Sequence, residues 1–286
     1  MNTPHGVVTP SPRTEPRGFG APFVLVTGGK GGVGKSTVAA NLGILLAAGG
    51  ASPLLVDLDF ELANLDVLLG MRPERNVESF FGGETPLSEC ILEGPAALRL
   101  LPAGSGNVAM GRPDPQRLRR LADGLRRLLP HPGIILGDTA AGIGPEVTIF
   151  AAHADRVLVV TTPEPAAVTD AYGVIKAVDA EAAERGIEVP TPELLVNFAE
   201  GVEEARRVAD GLRGVCERFL ARSPRLVGWL PRSRAVRQGI VRQRPFVLAD
   251  PRSLAARCLR RLAERYAPAG RGGPVSPLKA KETHVR

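Results

Sequence analysis

Cysteine is scarce in this chain. Only Cys90, Cys216 and Cys258 occur in 286 residues, scattered, odd in number and without a CxxC pair. That argues against a disulfide framework or a zinc site and fits a reducing cytoplasm. Residues 1–20 hold no apolar core segment, so no signal peptide is expected. Long apolar runs are missing as well. The nearest, 38–56, is interrupted by Asn41, Gly49-Gly50 and Pro53, and reads as buried helix, turn and strand. Lysine is nearly absent: Lys30, Lys35, Lys176, Lys279 and Lys281 leave 31 of the 36 basic residues as arginine. A net charge of +6 invites anionic partners, nucleic acid or lipid. An arginine skew beside abundant Ala, Gly and Pro also follows from a GC-rich genome, so basic helix faces carry little weight by themselves.

What is present has a clear rhythm. From Phe23, short apolar runs alternate with helical patterns, the signature of a parallel sheet wrapped by helices. Strands are expected at 23–27, 53–58, 98–101, 134–137, 156–161, 193–197 and 226–230. Most are continuously apolar, as strands covered on both faces are. Apolar stripes predict helices over 115–129 (Leu118, Leu121, Leu125, Leu128), over 168–186 (Val168, Ala171, Tyr172, Ile175, Val178) and over 202–219. The stripe in the last is Val202, Ala205, Val208, Leu212, Val215 and Phe219. A closing helix over 252–266 carries Leu254, Cys258, Leu259, Leu262 and Tyr266 on one side. The expected organisation is a disordered segment 1–20, one α/β domain over 21–267 with a mostly parallel twisted sheet between helical layers, and a flexible tail 268–286.

The stretch GGKGGVGKST, residues 28–37, lies between the first strand and the first helix. Gly29, Gly34, Lys35 and Ser36 fit the phosphate-loop spacing G-x-x-x-x-G-K-[ST] in the strand–loop–helix setting the pattern requires. Gly29, Lys30, Gly31, Gly32, Val33, Gly34, Lys35, Ser36 and Thr37 are the candidate phosphate binders. Converging backbone N–H groups and a helix N-terminus suit phosphate oxygens. Lys35 suits the β- and γ-phosphates, and the Ser36 hydroxyl suits Mg²⁺. Asp57 and Asp59 close the second strand, at the sheet edge where ligands bind. Asp138 follows the run at 134–137, the place for a second acidic group on the magnesium side. Gly137 is unusual in a buried strand. No N-K-x-D run exists, which removes the usual guanine reader and favours ATP.

The run KGGVGKS, with its additional Lys30, resembles the deviant phosphate-loop ATPases, the family of MinD and ParA. The resemblance implies that Lys30 reaches a partner subunit's nucleotide in an ATP-bound homodimer. It implies that Asp57 and Asp138 support the Mg²⁺ shell, with Ser36 as ligand, and that Asp59 positions the attacking water. Lys30, Lys35 and Asp59 are then the catalytic set. Asn197 and Pro231 match the residues that meet adenine, although Ser233 stands where the family has an acidic residue. Glu61 stands where the family has glycine.

Three further stretches, DLDFELANLD at 57–66, GDTAAGIG at 137–144 and EPAAVTDAYGVIKAV at 164–178, resemble the flagellar-number regulators, the FlhG (FleN) branch. That branch implies an FlhF-like GTPase or a flagellar transcription regulator as partner. Residues 1–20 lack the glutamine- and arginine-containing segment by which such proteins stimulate FlhF. MinD-like division-site positioning and ParA-like partition on DNA remain open, the latter on Arg232, Arg234, Arg237, Arg242 and Arg244. The helix 252–266 is expected to dock on its own domain, with weak membrane contact as the alternative.

Overall fold

The computed structural model describes residues 18–83, 85–104 and 113–268. Nearly all of the expected disordered segment 1–20, and the expected tail 268–286 beyond Pro268, lie outside them. Within the first of these segments, Phe19 is fully buried, packed on Phe23, Phe150 and His153.

Among the described residues eight strands form one sheet. They are β1 (Phe23–Thr27), β2 (Pro53–Leu58), β3 (Leu92–Glu93), β4 (Arg99–Leu101), β5 (Ile134–Thr139), β6 (Arg156–Thr161), β7 (Glu193–Ala199) and β8 (Arg225–Pro231). Their order is β3-β4-β2-β5-β1-β6-β7-β8, and every pairing is parallel except β3 with β4. β3 was not foreseen, because two residues carry no readable period. The helices are α1 (Lys35–Ala48), α2 (Leu65–Leu69), α3 (Val77–Gly82), α4 (Pro115–Arg126), α5 (Pro145–Ala151), α6 (Pro165–Arg185), α7 (Val202–Leu220), α8 (Arg234–Val241), α9 (Phe246–Ala249) and α10 (Leu254–Tyr266).

β1, β2 and β5 are buried along their whole length and β6 and β7 nearly so, whereas β8, at the sheet's edge, buries only Leu230. One core layer joins the sheet to α4, α5, α6 and α7, and the other joins it to α1, α9 and α10. Burial of this kind of aliphatic surface stabilises by about 25 cal/mol per Å², so the two-sided cover is the main support of the fold. Gly137 sits where the layers are tightest. A Cβ on it would lie 3.0 Å from both Leu58 Cδ1 and Phe23 Cε2, so the missing side chain makes room for theirs.

One helical expectation and two strand ends need correction. On α7 the buried face is Ala205, Ala209, Leu212 and Cys216, whereas Val202, Val215 and Phe219 are exposed. Small residues let the helix lie close to β7 and β8, which rotates the bulkier ones to the rim. β5 and β7 extend two residues further than expected, so Asp138 lies within its strand rather than after it, and Asn197 lies inside β7 rather than at its end.

The closing helix docks. Ala255, Ala256, Leu259, Leu262, Ala263 and Tyr266 of α10 are buried against α1 and β8. Tyr266 Oη donates to the buried Glu193 Oε2 at 2.6 Å, and the Arg156 guanidinium stacks on the tyrosine ring. Arg156 and Arg225 also pair with Glu193, so its carboxylate has partners on both oxygens. Tyr266→Phe leaves Glu193 one donor short. We expect a loss of about 1–2 kcal/mol, measured by urea unfolding, with the ordinary fold retained.

Candidate functional site

The phosphate loop joins β1 to α1, two elements buried on opposite sides of one another. Gly34 caps the helix at φ 97°, a left-handed conformation that side chains other than glycine adopt only under strain. Lys35 opens α1, is buried, and is held below the usual lysine range by that burial, against the pull of Asp138 and Asp59. The Gly142 N–H donates to the Gly28 carbonyl at 3.2 Å, which fastens the loop after β5 to the phosphate loop.

A cleft of about 600 Å³ opens over this loop. Its floor is Gly31, Gly32, Gly34, Lys35, Ser36 and Thr37. One wall comes from the segment after β2, with Asp59, Glu61, Leu62 and Asn64, and from Ala140 and Ala141 after β5. The other comes from Asn197, Phe198 and the face of α8 with Ser233, Val236, Arg237 and Ile240. A second groove of about 720 Å³ beside α3 and α4 is lined by Phe80, Leu87, Arg119 and Arg127, with no phosphate loop in its wall.

Behind the floor lie two carboxylates. Asp57 and Asp138 are direct register partners on β2 and β5, and both are almost wholly buried. Asp57 holds the segment after β2: Oδ1 accepts from the Asp59 N–H at 3.0 Å and Oδ2 from the Leu65 N–H at 3.4 Å. Burial, and next Asp138, push its pKa well above the carboxylate range. Among the described residues neither oxygen of Asp138 has a hydrogen-bond partner. Burial pushes Asp138 up to about 7, with nearby Ser36 and Lys35 pulling the other way. Two unpartnered buried oxygens beside a serine hydroxyl are the donor set of a hard divalent cation that keeps part of its water shell. Ser36 and Asp138, with Asp57 beside them, thus fit Mg²⁺ in their chemistry.

Asp59 is in the cleft wall, its Oδ1 accepting from the Leu62 N–H at 3.0 Å. Lys30 lies outside the wall and is ion-paired in its own chain: Nζ meets Glu164 Oε2 at 2.8 Å. Each group holds the other charged, Lys30 above its usual pKa and Glu164 below. Gly29 and Val33 are also outside the wall. A Cβ on Gly29 would come within 2.1 Å of the Asp170 carbonyl, and Val33 packs into the core below α1.

The two residues matched to adenine part company. Asn197 reaches the cleft, but its Nδ2 donates to the Val33 carbonyl at 2.8 Å and its Oδ1 accepts from the Phe198 N–H at 2.9 Å. Pro231 pairs with Ala199 at the end of β8 and does not line the cleft. The reading of the sequence passed over Phe198, Val236, Arg237 and Ile240. Arg237 was counted only among surface arginines, although the i, i+4 spacing of Val236 and Ile240 marks an apolar face on α8.

A phosphate loop at the carboxyl edge of a parallel sheet, lining an open cleft and backed by paired acidic strand ends, defines a phosphate-loop nucleotide-binding protein. Comparison with known proteins narrows the class. The family model described as the CobQ/CobB/MinD/ParA nucleotide binding domain matches residues 24–246, and the chain belongs to that family. It is 36% identical over 242 residues to the antiactivator FleN of Pseudomonas aeruginosa, covering 85% of each chain. It is 38% identical over 160 residues to the flagellum site-determining protein YlxH of Helicobacter pylori, covering 54% of this chain and 52% of that one. Its fold matches that of the septum site-determining protein MinD of Pyrococcus horikoshii complexed with Mg-ADP, with a TM-score of 0.71 at 24% identity over 86% of this chain and 96% of the other. No described helix is long and apolar enough to cross a membrane.

Proposed function

We propose that this chain is an ATP-dependent dimerising switch that hydrolyses ATP slowly and regulates the number or placement of flagella. The supporting observation is the similarity to FleN along 85% of both chains, joined to a cleft lined by Lys35 and Asp59, with the Asp57–Asp138 pair behind its floor and Lys30 outside its wall. In this reading the ATPase domain, 21–267, works in the cytoplasm.

In this reading the chain's own groups take the following roles. The loop amides and Lys35 hold the β- and γ-phosphates, while Asp59 orients a water in line with the γ-phosphorus. Mg²⁺ held by Ser36, with Asp57 and Asp138 behind it, would neutralise charge building on the phosphate oxygens. Lys30 must leave Glu164 to reach a second subunit. An exposed pair of this kind exchanges easily, so the γ-phosphate can tip the monomer–dimer balance through its contacts in the dimer alone. Lys30→Ala is expected to retain ATP binding and lose the ATP dimer. Light scattering after size exclusion with ATP checks this, and an unchanged dimer refutes it. At the level of the cell, a deletion strain should show altered flagellar number, with an FlhF-like GTPase or a flagellar transcription regulator as the partner to test.

A second reading, non-specific binding to DNA, draws on one feature. Between Arg232 and Arg265 stand ten arginines against only Asp250 and Glu264, a net +8 in a chain whose total is +6, so the remainder is net −2. The ion pairs made by described arginines, such as Arg206–Glu203 and Arg213–Asp210, lie in other segments. Since α10 packs its apolar side inward, an anionic membrane surface would meet only these charges, without inserted side chains. An ATP-dependent anisotropy change on random duplex, falling steeply with salt, would favour the DNA reading.

A further inference from the structure

We infer that Phe198 is the stacking platform for the purine base, in place of the proline expected there; this rests on the nucleotide reading of the cleft. Three observations meet at the residue. First, β7 carries a bulge. Val196 pairs with Trp229 and Ala199 with Pro231, so three steps on β7 face two on β8. A bulge re-aims side chains, and bulges are over-represented beside active sites. Second, Phe198 stands at φ +59°, where a bulky residue is strained unless its surroundings impose the conformation. They do. Its N–H is held by Asn197 Oδ1, and the same side chain is anchored on the Val33 carbonyl of the phosphate loop. The ring position is therefore coupled to the loop that binds phosphate. Third, Phe198 is the one aromatic residue in the cleft wall, and the Arg232 guanidinium lies 5.2 Å from its ring centroid.

Pro231 lies outside the wall, and Asn197 already serves the loop through both ends of its amide. The remaining wall on that side is Ser233, Val236, Arg237 and Ile240, with no carboxylate to pair with a guanine N–H edge. A base recognised by its face, without an acidic edge reader, is held by affinity more than by identity. The ligand class is thus a purine nucleoside triphosphate, ATP in the reading on which this rests, held through the face of its base.

The test compares ATP with tripolyphosphate, both with Mg²⁺, by titration calorimetry on the full chain and on Phe198→Ala, Phe198→Gly and Phe198→Trp. Glycine removes the strain at this φ, so that variant keeps the loop even if alanine disturbs it. The expected result is a loss of about tenfold in ATP affinity for the alanine and glycine variants, with tripolyphosphate unchanged and tryptophan close to wild type. An equal fall for both ligands would make Phe198 a support of the loop and overturn the platform. So would an unaltered ATP affinity. A wild-type chain that binds tripolyphosphate as tightly as ATP overturns the platform but leaves the phosphate loop standing. Binding of neither ligand removes the nucleotide reading beneath it.

Discussion

Asp59→Ala is expected to lower ATP turnover by roughly 10²–10³-fold while leaving ATP binding intact. The carboxylate stands in the cleft wall across from the phosphate loop, and one of its oxygens accepts from the Leu62 N–H. The other makes no hydrogen bond to protein among the described residues, so it is available to orient water. Alanine also releases the Leu62 segment, which blurs the interpretation. Asp59→Asn keeps an oxygen for that N–H but removes the charge, and should be nearly as slow. If water orientation limits turnover, both variants accumulate the ATP dimer that Lys30→Ala cannot form. Single-turnover phosphate release with size-exclusion analysis separates these outcomes. Undiminished release in the asparagine variant would take Asp59 out of the reaction.

Asp138→Asn is expected to have opposite effects on the free and the liganded protein. Asp138 ordinarily titrates near 3.8 and in the fold is pushed up to about 7 by burial, with Asp59 adding to the push. Between those two values the folded chain binds the proton more tightly than the unfolded chain does. Stability therefore falls as pH rises through that window, and the full penalty is present above it. Asparagine carries no such penalty. The nucleotide-free variant should gain a few kcal/mol at pH 8, on the order of what a shift of this size implies, and gain little at pH 4. Thermal unfolding across pH would show the wild-type and variant curves converging in acid. With Mg²⁺ and ATP the order reverses, because the amide cannot supply the anionic oxygens that suit the cation. Parallel curves at all pH values would mean that Asp138 is not the group that titrates.

Glu61 illustrates how a departure from the family pattern acquires a place. It lines the cleft two residues from Asp59, so its charge borders the space over the phosphate loop. The comparison with Asp138 is instructive. Both are acidic and both lie near the loop, yet only Asp138 is walled from water on every side. Sequence spacing located both residues, but burial separates their chemistry.

The local parts of this protein were legible in its sequence. The strand–loop–helix around Lys35 depends on neighbours within about ten residues, on glycines that permit a left-handed turn, and on apolar runs long enough to reveal their period. The seven longer strands were readable for the same reason, as were the two strand-end carboxylates, since Asp57 and Asp138 each end an apolar run. What depended on distant partners was not. Lys30 meets Glu164 across 134 positions, and Asn197 meets Val33 across 164. No periodicity encodes such meetings, because they arise when β1, β6 and β7 are laid side by side. The bulge that turns Phe198 into the cleft exists only as a mismatch between β7 and β8. The helix α10 had an amphipathic pattern that served membrane or core equally, and the sheet beneath it decided, by offering Glu193 to Tyr266 and an apolar floor to its leucines. Short-range sterics and periodicity thus determined the phosphate loop and the strands and helix around it, whereas long-range packing decided which side chains share the cleft.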